Sequence, residues 1–597
     1  MPVLQERPLT DPGFAQAPTT DPNRATNPTT LLPYEGRGDS HQFRSMAEPQ
    51  HFYVQRFGAV PPVSIHPQLQ PQINFWGANL GGADLSVDKP TTPMPTIVSR
   101  YQAGANTAIL VRRFNNLPTG APSGGFGKNQ ISTHLHNFHT APDSDGGPCD
   151  PRLGSNAESP ATQGRFFFPG QYYDYYYNMK RAGFTGASTP DGDVRETLGT
   201  LWYHDHREGH TAENVYKGLA GFHLVFNEYD TGSENTGFRL PSYPQYDIPM
   251  IFTDLRVDPS TGQAAFDILD VDGHLGDKYM VNGKIQPFFN VFKRRYRLRL
   301  LDQGPSRFYQ LYLTNPDNLS QSIPFWRIMN DGNLLPKPLQ TTSVLLSVAE
   351  RADIIVDFAA ITASGGAAPG ATRLWLENRL IQTDGIGPST SSWDGSSGSG
   401  SSWSGSWSGS STSSWNTNNT GLNAPGNPAN VLVEFRIGAA APDASADPAT
   451  ITSFAPITLP PLGTSVITRT FKFDRTNGQW VVNGSPMSCD VVRFAMKRGT
   501  TETWVFSGGF GWSHPIHAHR SEGRITKRNG VAMPTANQEF SRKDVVRLGE
   551  KDTVEYVIKA TDYLGVFPIH CHNVVHEDHA MMMLVTVDDV GDNKTQP

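Results

Sequence analysis

Thirteen of the 18 histidines in this 597-residue chain fall into four tight groups. They are His134, His136 and His139; His204, His206 and His210; His514, His517 and His519; and His570, His572, His576 and His579. Each group contains an H-x-H. Alternate residues of a β-strand project from one face, so such a pair presents two imidazoles in one direction. The pairs His134/His136, His204/His206, His517/His519 and His570/His572 supply eight nitrogen ligands. That is too many for one metal ion and suits a cluster of about three.

The last group holds a second donor set. Cys571 is the middle residue of its H-x-H, so its sulfur points to the face opposite His570 and His572. His576 follows five residues on and Met581 ten. With His514, these make two imidazoles, one thiolate and one thioether, the donors of a blue-copper electron-transfer site with methionine as weak axial ligand. Peptide bonds on either side of Cys571 join that site to His570 and His572, which gives electrons a covalent path to the cluster.

The runs STHLHNFH, LWYHDHREGH, HPIHAH and HCHNVVHEDHAMM, in this order and with PDSDG after the first, resemble those of multicopper oxidases. They look closest to the bilirubin oxidase and spore-coat laccase branch, over about residues 50–590. The resemblance implies an all-β chain of three cupredoxin-like Greek-key β-sandwich domains holding four copper ions. It places the type 1 copper on His514, Cys571, His576 and Met581, and the type 2 copper on His134 and His517. The type 3 pair then takes His136, His204, His206, His519, His570 and His572. The first and last domains would share the cluster, with the middle domain between His206 and His514. Ala518 stands in HPIHAH where a larger aliphatic residue is usual, and the ligand positions are intact.

Reduction of dioxygen to water consumes protons, so carboxylates are expected beside the cluster. Glu577 follows a type 1 ligand, and Asp145 lies in PDSDG; similar positions in the spore-coat laccase branch relay protons. A structural acceptor and a turn residue are the respective alternatives. Asp205, between two ligands, should point away from the cluster and support it. His139, His210 and His579 match no ligand position and read as surface or supporting residues. Cys149 and Cys489 belong to domains that must abut, so an interdomain disulfide and two free thiols are both open. Trp512 reads equally as donor-site border or as core.

The elements that must position these groups are short strands. The chain has 57 glycines and 47 prolines and only 18% charged residues, as expected of strands joined by many turns. Residues 1–45 read as an extended or disordered arm, 46–235 as the first domain, 236–445 as the second and 446–597 as the third. Strand-like runs such as TAILVRRF, RADIIVDF, TETWVFSG and DTVEYVIKA recur through all three. The second block carries a flexible Ser/Gly insert, within about 385–425 and richest from Ser389 to Asn419. Trp393, Trp403, Trp407 and Trp415 are set in it, and docking of those tryptophans on aromatic compounds is the alternative to a mobile loop.

Composition excludes several classes. A net charge of −7 and a pI near 6.2 argue against a nucleic-acid partner. No apolar run approaches the ~18–20 residues of a membrane helix. Three cysteines are too few for a disulfide scaffold or a thiolate-rich zinc site. The N-terminal residues lack the layout of a signal peptide, and the compartment stays open between cytoplasm and export.

Three functions compete. The first is a laccase-like oxidase that takes single electrons from phenols, aromatic amines or bilirubin-like donors and passes them to O2. The second is a metallo-oxidase acting on Mn(II) or Cu(I). Only 13 methionines and a Ser/Trp-rich insert argue against Cu(I), and Mn(II) would call for exposed carboxylates near His514 or His576. The third is a copper-storage or electron-carrier protein, which has no use for eight cluster histidines.

Overall fold

The computed structural model describes residues 1–11, 48–69, 73–120, 125–149, 166–388, 422–509 and 512–597. The Ser/Gly/Trp insert lies outside the described residues. The fold is nearly all β, 42% strand and 6% helix, in the cupredoxin-like arrangement the family resemblance implied. Burial alternates along the strands as a two-residue period requires. In Thr553–Lys559, Val554, Tyr556 and Ile558 are buried while Thr553 and Lys559 are exposed.

Six main sheets pair into three sandwiches. In the first, one sheet runs Glu6–Arg7, His51–Ala59, Ile109–Asn115, Tyr172–Tyr177, and the other Met94–Arg100, Ala220–Phe226, Thr200–Asp205, Thr133–His136. Phe57, Ile97, Leu135 and Tyr203 pack between them. The stretch expected as an arm thus contributes an edge strand, Glu6–Arg7, paired with Tyr53 and Phe52. Residues 12–47 lie outside the described part. The middle sandwich has a seven-stranded and a five-stranded sheet around Phe252, Leu298, Leu311 and Ile354. The third closes on Phe471, Trp480, Trp504 and Phe506. No helix among the described residues is long and apolar enough to cross a membrane.

Buried ion pairs join the sandwiches. Arg351 of the middle one reaches both carboxylate oxygens of Asp544 (3.0 and 3.1 Å). Lys543 meets Asp331 (2.9 Å) and Glu350 (2.7 Å), and Arg547 also meets Glu350 (2.7 Å). First and third sandwiches are linked covalently: Cys149 and Cys489, 340 residues apart, form a disulfide with Cα atoms 5.9 Å apart.

Candidate metal centre

Strand alternation divides the ligands of the third sandwich between two places. Along His514–Ala518, His514, Ile516 and Ala518 face the core, while His517 faces the first sandwich. The neighbouring strand Gly565–Cys571 does the same: Phe567, Ile569 and Cys571 point inward and His570 outward. The register sets Ile516 opposite Cys571 and His517 opposite His570. Ala518, small where a larger aliphatic was expected, is a core position and touches no ligand role.

The inward set is compact. Sγ of Cys571 lies 3.4 Å from Nδ1 of His514 and 3.7 Å from Nδ1 of His576, and the two nitrogens are 3.2 Å apart. The point equidistant from these atoms lies about 2 Å from each, the length of a metal–imidazole bond. Met581 is fully buried beside them, and its carbonyl accepts from the Cys571 amide (3.0 Å). Nε2 of His576 donates to the Asp272 carbonyl (2.9 Å), which leaves Nδ1 with its lone pair toward the sulfur. Trp480, which the sequence did not single out, lies against His576 at 3.9 Å between ring centroids. Trp512 packs edge-on against Trp480 at 5.1 Å, so it serves the core and the site's border together.

The outward set meets the first sandwich, where Thr133–His136 pairs with Thr200–Asp205 and His134 stands opposite His204. Three Nε2 atoms, of His206, His519 and His570, form a triangle with sides of 3.1, 3.1 and 3.3 Å. Nε2 of His134 and of His517 are 3.4 Å apart, and Nδ1 of His136 lies 3.4 Å from Nε2 of His204. The His572 ring centroid is 5.0 and 5.3 Å from those of His136 and His204, and neither of its nitrogens has a hydrogen-bond partner among the described residues. All eight imidazoles expected in the cluster therefore converge, and every one is buried.

The backs of these rings are held by hydrogen bonds. Nδ1 of His134, His204 and His517 donates to the carbonyls of Asp145 (2.6 Å), Asp205 (2.7 Å) and Asp544 (3.0 Å). The Asp145 carboxylate takes Nδ1 of His519 (2.7 Å). Glu577 contacts Nδ1 of His570 (2.9 Å) and of His206 (3.5 Å), and accepts from Thr211 Oγ1 (2.8 Å). Asp544 adds a carboxylate 3.0 Å from Nε2 of His136. Nothing in its run, SRKDVV, marked it; it sits near the cluster only because the third sandwich brings it there. Asp205 turns away as expected, accepting from Ser132 N (3.0 Å) and Asn214 Nδ2 (2.8 Å). Of the three extra histidines, His139 is a buried tie to Asp562 (2.7 Å), while His210 pairs with Glu213 and His579 with the Val575 carbonyl.

Burial sets the electrostatics. It holds His136, His204, His517, His519, His572 and His576 well below the usual histidine range, and brings His206 and His514 down to about 3. These rings are neutral, with lone pairs available to a metal. Burial also pushes the Cys571 thiol far up, so a thiolate forms there only against a cation. For Glu577, burial acts upward, but the facing His570 and His206 outweigh it and hold the carboxyl below its ordinary value. Burial brings Asp544 and Asp205 up to about 7. Neutral nitrogens converging at bonding distance, a thiol in need of a cation and, among the described residues, two unpartnered nitrogens on His572 fit copper.

Comparison with known proteins agrees. The multicopper oxidase family model matches residues 459–591. The chain is 30% identical over 540 residues to the bilirubin oxidase of Albifimbria verrucaria, covering 88% of this chain and 77% of that protein. It is 25% identical over 573 residues to a laccase of Bacillus subtilis (strain 168), covering 88% and 92% of the two chains. The fold is shared with a multi-copper oxidase from Pediococcus acidilactici at a TM-score of 0.63 and 20% identity, over 90% of this chain and 88% of that one. With ligand geometry, donor chemistry and likeness in agreement, the chain belongs to the multicopper oxidases, copper-dependent oxidoreductases whose electron acceptor is O2.

Proposed function

We propose that the chain is a laccase-like oxidase with four coppers that takes single electrons from phenolic, aromatic amine or bilirubin-like donors. In this reading type 1 copper is held by His514, Cys571, His576 and Met581, and type 2 by His134 and His517. The type 3 pair is held by His136, His204, His206, His519, His570 and His572. The observation that carries it is the aromatic border of the inward site. Trp480 lies on His576, Trp512 on Trp480, and the Arg475 guanidinium is 5.2 and 5.6 Å from their ring centroids. Trp480 is itself buried, so a flat aromatic donor would meet the half-buried Trp512 and Arg475 at the outer edge of this stack.

Copper at these positions supplies one-electron redox chemistry, collecting electrons singly and delivering four to dioxygen. The protein does the rest. The Asp272 carbonyl fixes the His576 tautomer, and Cys571 links the two sites through the peptide bonds to His570 and His572. Asp145 holds His134 and His519 in place. Glu577, in contact with His570 and His206, is the carboxylate to take up protons and pass them to the reduced oxygen.

Asp272 and Asp384 keep Mn(II) as a second reading. Asp272 is part-exposed and paired with Arg475 (2.5 Å), and partial desolvation and then the Asp272 charge raise the pKa of exposed Asp384. Oxygen uptake by copper-loaded protein on a phenol, an aromatic diamine, bilirubin, Mn(II) and Cu(I) separates the readings. Fast uptake on the organic donors is expected, and uptake on metal ions alone would move the assignment to a metallo-oxidase. A loaded protein that consumes no oxygen with any donor would end the oxidase reading.

A further inference from the structure

The helix Thr211–Tyr216 of the first sandwich begins without a cap from its own neighbourhood. Its N-cap residue, His210, makes no side-chain bond to the helix amides, and its Nδ1 lies against Glu213 (2.8 Å). The first amides of a helix have no partner within it and must find one elsewhere. Here the partner comes from the third sandwich. Thr211 N donates to Oδ1 of Asp578 and Ala212 N to Oδ2, both at 2.8 Å. Asp578 ends the helix Val574–Asp578, and Ala212 packs on Val574 and Val575 of that same helix.

This grip fixes a side chain as well. Thr211 is fully buried, and its β-branched side chain has few directions open once the backbone is held. Its Oγ1 lies 2.8 Å from Oε1 of Glu577 and 3.2 Å from the Arg207 carbonyl. The other Glu577 oxygen, Oε2, faces Nδ1 of His570 (2.9 Å), and Oε1 has a longer contact to Nδ1 of His206 (3.5 Å). The hydroxyl therefore sets which way the carboxylate turns toward the two rings.

We propose that Asp578 and Thr211 are positioning residues for proton supply at the cluster. Asp578 anchors the start of the helix Thr211–Tyr216, and the anchored helix holds Thr211 Oγ1 where it orients Glu577 against His570 and His206. The carboxylate that moves protons lies in the third sandwich and the hydroxyl that aims it in the first, so proton supply is complete only when the two sandwiches have docked. The proposal rests on the reading of Glu577 as the proton-supplying carboxylate.

The test compares the two halves of turnover in copper-loaded, full-length protein. Anaerobic bleaching of the blue band by ascorbate reports electron entry, and oxygen uptake at saturating ascorbate reports the whole cycle. Thr211→Val removes the hydroxyl and keeps the branched shape, Thr211→Ser returns the hydroxyl, and Asp578→Asn removes one of the two acceptors. Uptake should fall at least about tenfold in Thr211→Val and Asp578→Asn, the scale of a misplaced catalytic group. Its solvent deuterium isotope effect should rise, while bleaching rate and copper content stay at the parent's level. Thr211→Ser should recover uptake. Exchange of the Thr211 and Ala212 amides with heavy water should be slow in the parent and at least about tenfold faster in Asp578→Asn. Parent-like uptake in Thr211→Val or Asp578→Asn, with Glu577→Gln slow, overturns the proposal and leaves the reading of Glu577 standing. Parent-like uptake in loaded Glu577→Gln removes that reading and the proposal with it. Equal losses in Thr211→Val and Thr211→Ser, or copper lost from either, would make Thr211 a packing residue only and overturn the proposal too. Should Asp578→Asn fail to fold, fast exchange of the two amides in the parent would overturn the anchoring role, and slow exchange would sustain it.

Discussion

At the scale of single residues, Glu577 and Asp145 share a design: each carboxylate touches the back of a cluster histidine and is itself buried. Their duties differ. Asp145 grips two rings, through its carbonyl and its side chain, so its loss should lower copper content first. Glu577 grips less firmly and carries charge where protons are consumed. Glu577→Gln keeps the shape and the Thr211 contact while removing the ionisable group. Turnover should fall by about 10²- to 10⁴-fold with copper content intact, as for the loss of a general acid. Oxygen uptake together with metal analysis checks this, and full turnover in a fully loaded variant would remove Glu577 from proton supply.

Among elements, the short helix Pro142–Asp145 matters beyond its four residues. It brings Asp145 over the strand Thr133–His136, and its closeness depends on Gly146. That residue has φ of 73°, and a Cβ there would stand 1.9 Å from the Thr133 carbonyl oxygen and 2.5 Å from the His134 amide. Gly146→Ala therefore forces the turn away from the strand and breaks the Asp145–His134 bond. A loss of more than about 1 kcal/mol is expected, seen as a lower thermal midpoint together with reduced copper binding. A variant with the parent's midpoint and full copper would show that the turn tolerates the shift. Strand register carries the same weight elsewhere: sliding Gly565–Cys571 by one residue would exchange Cys571 with His570 between the two sites.

For the molecule as a whole, the cluster exists only where the first and third sandwiches meet, so the ties between them are functional parts. The disulfide closes a loop of 340 residues, and replacing Cys149 and Cys489 by serine should cost about 2–4 kcal/mol. Thermal unfolding of parent and variant measures it; equal midpoints would mean that noncovalent contacts suffice. Asp562 is the second tie, accepting from His139 (2.7 Å), Gly183 N (2.6 Å) and Thr185 N (2.9 Å) of the first sandwich. Burial raises its pKa, but the bonds to His139 and Thr185 outweigh it and leave the carboxyl far below its ordinary value. The unfolded chain then binds the proton more readily, so this tie stabilises fully above about pH 4 and weakens as the pH falls further. Asp562→Asn should unfold more easily than the parent at pH 7, and the gap should close below about pH 4. A gap that stays constant down to pH 3 would contradict this origin.

The convergence of the proposed ligands was legible in the chain because metal chemistry is local in its demands. H-x-H on a strand, and a cysteine between two histidines, state direction as well as donor type, since alternation is built into the backbone. Hydrophobic alternation and the abundance of glycine and proline likewise announced strands and turns. What no local pattern holds is which distant segments face each other. Asp544 touching His136, Trp480 lying on His576 and Cys149 bonded to Cys489 all join residues far apart in the chain. Each depends on how sheets pack and twist together, a sum over hundreds of contacts that a run of neighbouring residues does not encode.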